Sequence, residues 1–251
     1  AAEQVCADNG LSSAHATFIA PEQLPLFERA GWMLRSDIQF HWLNRGYGTF
    51  DDFLSALSSA KRKAIRKERA SAQAGVEIRV LRGSEIGEAE WDAFWAFYQD
   101  TGSRKWGRPY LTRAAFSLFG ERMGDRVVLI LACQDGQAIA GALNFIGPDA
   151  LYGRYWGAVI EKPFLHFELC YYQAIELAIA LGLPRVEAGA QGPHKLARGY
   201  EPVQTWSAHW IAHPGFRSAV EDFLERERAG VAMDQNYLAT RTPFRKDSLS
   251  A

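Results

Sequence analysis

The chain has 251 residues, 48% hydrophobic and 23% charged, with a formal net charge of −1. This is a globular composition, long enough for one large domain or two smaller ones, and it lacks the basic excess that general nucleic-acid coating needs. No run approaches the roughly 18 uncharged apolar residues of a membrane helix, and no basic start followed by an apolar core marks a leader, so a cytoplasmic protein is expected.

The opening reads as helix, strand, helix, strand. Residues 2–10 end on Asn9-Gly10, a helix tail with a glycine stop. Residues 12–20 read as a strand, 21–31 as a short helix begun by Pro21 and closed by Gly31, and 32–42 as an aromatic-rich strand. That is half of an α/β unit, too small to bury a core alone. Either later residues complete it or it is the end of a first unit; the second is expected. Residues 49–75 follow as one long helix or two in line. Thr49 caps it, Asp51 and Asp52 favour its first turn, and Phe50, Phe53, Leu54, Leu57, Ala64 and Ile65 make an apolar stripe.

From Val76 a second unit is expected. Residues 76–83 alternate as a strand, and 88–102 and 112–124 are amphipathic helices. Residues 126–159 hold three strands, turned at Asp135-Gly136 and Gly147-Pro148-Asp149. Residues 164–183 are apolar nearly all round and predict a helix buried on several sides. Strands at 184–190 and 203–212 and a helix at 215–231 complete the chain. Antiparallel runs with one helix inserted late indicate an α+β fold rather than a doubly wound sheet. Cys6, Cys133 and Cys170 have neither zinc nor redox-pair spacing. The last two lie in apolar runs as core thiols, which suits a reducing compartment. No metal constellation is visible.

Five segments, "HWLNRGYGTFDDFLSALSSAKRKAIRKER", "RKWGRPYLTRAAF", "LYGRYWGAV", "FLHFELCYYQAIELAI" and "EAGAQGPHKLARGY", together resemble the FemAB-like family of N-acyltransferases, within the GNAT superfamily and labelled for peptidoglycan biosynthesis or recognition. The resemblance runs from about His41 to Trp210. It implies a GNAT-like fold with a largely antiparallel sheet flanked by helices. Residues 1–48 would then end a first GNAT-like unit, 49–75 would be a basic linking helix, and 76–251 would be the second, acyltransferase unit. It implies a transferase with acyl-CoA or aminoacyl-tRNA as donor substrate, no tightly bound cofactor, and a small-molecule or lipid-linked amine, such as a cell-wall precursor, as acceptor. tRNA is a candidate partner, and a non-catalytic module that binds such a precursor is the alternative.

Amide formation passes through an oxyanion, so cations and amide N–H groups aimed at it lower the barrier. In the loop 187–202, Lys195 and Arg198 are candidates for that charge, and Gly189, Gly192 and Gly199 for close backbone approach. Tyr200 is a candidate to protonate the leaving group. A solvated loop with rim salt bridges is the plainer reading. An amine acceptor must lose a proton, and Glu187, Glu168, His194 and His166 are candidate bases. Against these stand a first-turn acid for Glu168 and a partner for Arg198 or Arg154 for Glu187. Simple alternation puts Arg154 and Trp156 on one strand face, with Trp156 free to stack on substrate. Helical spacing groups Arg62, Arg66 and Arg69 as a phosphate-binding row or a solvated face. Arg104, Lys105, Trp106 and Tyr110 suggest a similar lining.

Overall fold

The computed structural model describes residues 1–104, 109–189 and 192–245. The backbone divides into two compact units. One comprises Ala1–Phe40, Ala190–Leu196 and Glu201–Thr242; the other comprises His41–Gly189, Ala197–Tyr200 and Pro243–Ala251.

The first unit holds α1 (Ala2–Asp8), β1 (Ser13–Thr17), α2 (Leu24–Arg29), most of β2 (Met33–Leu43), and the late elements β8 (Glu201–Ile211) and α9 (Pro214–Ala239). β1 pairs antiparallel with β8, from Ser13↔Ile211 to Thr17↔Ser207, and β8 neighbours β2. Ile19, Leu34 and Ala208 pack with Phe27, Trp32 and Trp206, while Met33, Ile211, Leu224 and Val220 seat α9. α9 starts at Pro214, whose missing N–H costs nothing there, and the His213 ring accepts from the Phe216 N–H at 3.1 Å. The opening elements are thus completed by later residues of the same chain, contrary to the expected boundary at residue 48.

The second unit contains α3 (Phe50–Ala56), α4 (Ser59–Gln73), β3 (Glu77–Arg82), α5 (Glu88–Arg104), α6 (Arg113–Met123), β4 (Val127–Gln134), β5 (Gln137–Ile146), β6 (Leu151–Ala158), α7 (Leu165–Phe167), α8 (Gln173–Ala180) and β7 (Arg185–Glu187). The expected 49–75 linker is therefore two helices inside this unit, broken at Leu57, whose extended backbone bridges to Phe244. Thr49 caps α3 as expected, accepting from the Asp52 N–H while Asp52 accepts in return.

Strand order in this unit runs from the end of β2 through β7, β6, β5 and β4 to β3. All pairs are antiparallel except β6 with β7. Asp135 and Gly136 both have positive φ, at 51° and 77°, the twist that a tight hairpin requires. Alternation along β4 divides the core. Val127, Leu129, Leu131 and Cys133 pack with Trp91, Phe94, Phe97 and Phe116 of α5 and α6. Val128, Ile130 and Ala132 pack with Leu165 and Leu169 on the opposite face. The fold is α+β: a largely antiparallel sheet flanked by helices.

Candidate functional site

β6 carries the centre of the second unit. It pairs with β5 along its length, but the register slips between Leu143↔Tyr155 and Asn144↔Gly153, leaving Arg154 as the extra residue of a β-bulge. The bulge breaks the expected alternation. Trp156 packs on the α7 face, whereas Tyr155 joins the α5–α6 face. The Arg154 guanidinium lies 5.1 Å from the Tyr155 ring and donates to the Tyr110 hydroxyl at 3.2 Å. Arg154 and Trp156 therefore do not share a face.

On its other side β6 leaves its neighbour. Parallel pairing with β7 holds only at Leu151↔Val186 and Tyr152↔Glu187, while β6 runs on to Ala158. β7 is three residues rather than the expected seven; Gly189, with φ +73°, turns the chain away soon after it. Among the described residues no rung joins β6 to β7 past Tyr152. Beside this part of β6 opens a cleft of about 520 Å³ lined by Trp156, Ala158, Ile160, Lys162, Leu165 and His166, among others. The His166 ring meets Trp156 edge-on at 5.1 Å and Tyr171 at 5.3 Å. Lys162 donates to the Ala74 carbonyl at 2.9 Å.

The helix below this cleft is not uniform. Between α7 and α8 the turn Glu168–Tyr172 is a π-helix, a form that concentrates at functional sites. Glu168 is 0% exposed. Its carboxylate accepts from Arg69 Nε at 3.2 Å and Nη2 at 3.0 Å, from Gln73 at 2.8 Å, and from Gln173 at 2.7 Å. Arg69 also bonds Glu176 at 2.7 Å and lies over Phe50. A carboxylate so enclosed by donors ties α4 to the π-turn and the start of α8. Glu168 is the fourth residue of the helical run that starts at Leu165, so it does close the first turn, as the plainer reading expected.

A second ion pair grips the same turn. Arg198 donates to both oxygens of Glu68 at 2.9 Å, the Tyr172 hydroxyl donates to Glu68, and the Arg198 guanidinium lies 3.5 Å from the Phe167 ring centre. Burial pushes the Tyr172 phenol well above its ordinary pKa, as it does for Tyr171. The basic segment of α4 is therefore not one phosphate-binding row. Arg69 turns inward, Arg66 pairs with Asp51 at the surface, and Arg62 is half-buried.

The loop that concentrates glycine and charge begins beyond β7. Glu187 pairs with Arg185 at 2.8 Å and lies 3.8 Å from His41; its partners are these rather than the expected Arg198 or Arg154. Residues 193–198 form a 3₁₀ turn. In the first unit, His194 is exposed and Lys195 is only 3% exposed, with its ammonium 5.7 Å from the Phe40 ring. Arg198 and Tyr200 belong to the second unit. Gly189, Gly192 and Gly199 all have positive φ. Gly199 needs its missing side chain, since a Cβ there would stand 2.6 Å from Phe53. Tyr200 is fully buried against Tyr171. Burial raises its pKa well above 10, and its hydroxyl has no hydrogen-bond partner among the described residues. Trp106, with Lys105, lies outside the described residues.

The second unit thus brings together Trp156 and His166, and separately Glu68, Arg69, Glu168, Tyr172 and Arg198. Sequence reasoning passed over Lys162, Glu68, Gln73 and the pairing of Tyr110 with Arg154. The "EKPFLH" run between a strand and a helix was the available signal for the cleft. Among the described residues no group of three or more His, Cys, Asp or Glu side chains could hold a metal ion, and no helix is long and apolar enough to cross a membrane.

No curated protein matches the sequence. Among solved structures, the chain is similar to the C-terminal domain (DUF2156) of a candidate lysylphosphatidylglycerol synthetase from Agrobacterium fabrum. The identity is 10%, the TM-score is 0.65, and 86% of this chain and 72% of that one are covered. It is also similar to FemX, at 10% identity and TM-score 0.60 over 88% and 77% of the two chains. L-PGS from Bacillus licheniformis matches at 11% identity and TM-score 0.60, over 88% and 76%. At such identities these likenesses carry the fold alone. The model of the FemAB-like family, described as peptidoglycan biosynthesis/recognition, matches residues 1–246, and the chain belongs to that family.

Proposed function

We propose that the protein is an N-acyltransferase that moves an acyl or aminoacyl group from acyl-CoA or aminoacyl-tRNA to an amine, with a cell-wall precursor as the favoured acceptor. The observation that carries this reading is the β6 edge past Tyr152, which no rung joins to β7 among the described residues and which the Trp156–Lys162–His166 cleft borders. Backbone N–H groups outside a ladder are fixed donors for a carbonyl oxygen that becomes an oxyanion. The cleft beside them takes the body of the donor, with Trp156 as a stacking wall and Lys162 as a charge near its mouth.

In this reading the acceptor nitrogen attacks the donor carbonyl directly. The C–N bond forms, the thioester C–S or ester C–O bond breaks, and the nitrogen loses a proton. Glu187, opposite Tyr152 at the last described rung between the strands, is the proposed proton acceptor, and His166 the alternative. Glu168, Tyr172 and Arg198 act as supports for the helix that carries His166. Membership of a biosynthesis/recognition family supports transfer and recognition alike, and turnover separates them.

The test uses radiolabelled acyl-CoA and aminoacyl-tRNA donors with a lipid-linked, amine-bearing cell-wall precursor. Transfer is expected, with Trp156→Ala and His166→Ala each raising the donor KM by about tenfold, the scale of losing one aromatic or hydrogen-bonded contact. Saturable binding without turnover across both donor classes would favour the recognition module. Full activity in a folded W156A/H166A double variant would move the site elsewhere.

A further inference from the structure

Arg154 is placed unlike the ion-paired arginines of the second unit. Arg69, Arg79, Arg113, Arg185 and Arg198 each have a carboxylate within 3.3 Å. Arg154 is exposed, and among the described residues no ion pair engages it. Its contacts are two phenols. It lies along the Tyr155 ring at 5.1 Å and gives one Nη2 hydrogen to the Tyr110 hydroxyl at 3.2 Å. Tyr110 in turn is hydrogen-bonded to the Tyr155 hydroxyl, and its ring meets Tyr155 edge-on at 6.4 Å. Tyr155 is fixed from below by Tyr98, edge-on at 5.3 Å.

The guanidinium is thus oriented by its neighbours but not neutralised by them. An exposed planar fork steadied by an aromatic ring and one hydroxyl matches two carboxylate oxygens. Burial and the Tyr110 hydrogen bond push the Tyr155 phenol up to about 12, so it stays neutral and brings no competing negative charge.

Its position in the fold matters equally. Arg154 is the bulged residue of β6, two residues past the last rung shared with β7. Its contacts with Tyr155 and Tyr110 set it beside the residue that packs on the α5–α6 side, while Trp156 and the cleft lie on the opposite face. A ligand held by Arg154 would approach the β6 edge from the side away from the cleft.

We propose that Arg154, with Tyr110 and Tyr155, is an acceptor subsite that recognises a carboxylate, so that the amine acceptor is an anionic amino-acid or peptide group. This rests on the transfer reading for the word acceptor, but the binding itself can be measured without it. Arg154 is exposed and outside every core cluster, so Arg154→Gln leaves the fold in place.

Isothermal titration of the intact protein with the dipeptide lysyl-alanine, and with the same dipeptide amidated at its C-terminus, reads the carboxylate directly. The free acid is expected to bind about tenfold more tightly than the amide, the scale of charge-assisted hydrogen bonds at a partly exposed site. R154Q is expected to erase that difference. R154K is expected to keep only part of it, because a point charge replaces a fork. Equal binding of acid and amide by the native protein overturns the proposal, as does undiminished discrimination in R154Q. Tighter binding of inorganic phosphate than of the free acid also overturns it, by assigning the fork to phosphate. Discrimination without any transfer from acyl-CoA or aminoacyl-tRNA would sink the proposed function and leave this subsite standing; transfer indifferent to the acceptor carboxylate would do the reverse.

Discussion

Glu168 keeps a carboxylate wholly out of solvent, and its four donor contacts say what that arrangement requires. Removing one partner of a buried ion pair strands the other. Arg69→Ala should therefore cost about 3–5 kcal/mol of stability, measured by urea unfolding. Adding Glu168→Gln to it should cost little more, because no charge is then left stranded. A double variant much weaker than Arg69→Ala would show that the acid acts through something other than its pair. This pair also marks where residue-level reading ran short. Six basic residues in "KRKAIRKER" are visible in the sequence, but the inward turn of Arg69 depends on acids about 100 positions away. Helical spacing groups side chains on one helix; it carries no information on which of them meets a distant carboxylate. Arg154 eluded the same kind of reasoning, since simple alternation assumes a strand without a bulge.

Among the elements, β4, β5 and β6 were legible because their signals are local: alternating apolar residues, and an Asp-Gly turn whose positive φ values are met. α5 and α6 were legible through aromatic residues at helical spacing. The short β7 and the π-turn were not, because each is set by neighbours rather than by its own residues. Nor was the partner of β1, which lies almost 200 residues away. One glycine on β6 shows how tightly these elements meet. A Cβ at Gly157 would run into the Phe97 carbonyl of α5, and helix backbone cannot swing aside as a flexible side chain can. Gly157→Ala should destabilise the protein by about 1–3 kcal/mol, seen as a lowered Tm, whereas Gly136→Ala meets no neighbouring atom and strains only its own left-handed backbone.

At the scale of the whole molecule, acid should act first on the unit that contains β1 and β8. His209 has its pKa lowered from 6.5, by burial and then by His15 and Arg35, and Glu227 has its own lowered from 4.5, chiefly by its hydrogen bond with Arg35. In both cases the unfolded chain binds the proton more readily, so stability is present at higher pH and lost as pH falls. The loss should begin below about 6.5 through His209 and continue below about 4.5 through Glu227. Hydrogen exchange of β1 and β8 amides between pH 8 and 4 tests this, and His209→Asn should flatten the upper step. Protection that stays constant to pH 4 would contradict it.

β2 belongs to the first unit over Met33–Phe40 and to the second over His41–Leu43, and the chain crosses between the units again after Gly189, Leu196, Tyr200 and Thr242. Dissection by a single cut is consequently ruled out. A recombinant fragment starting at residue 49 would carry β8 with no strand to take the rungs from Ser207 to Ile211, leaving a raw edge that invites aggregation.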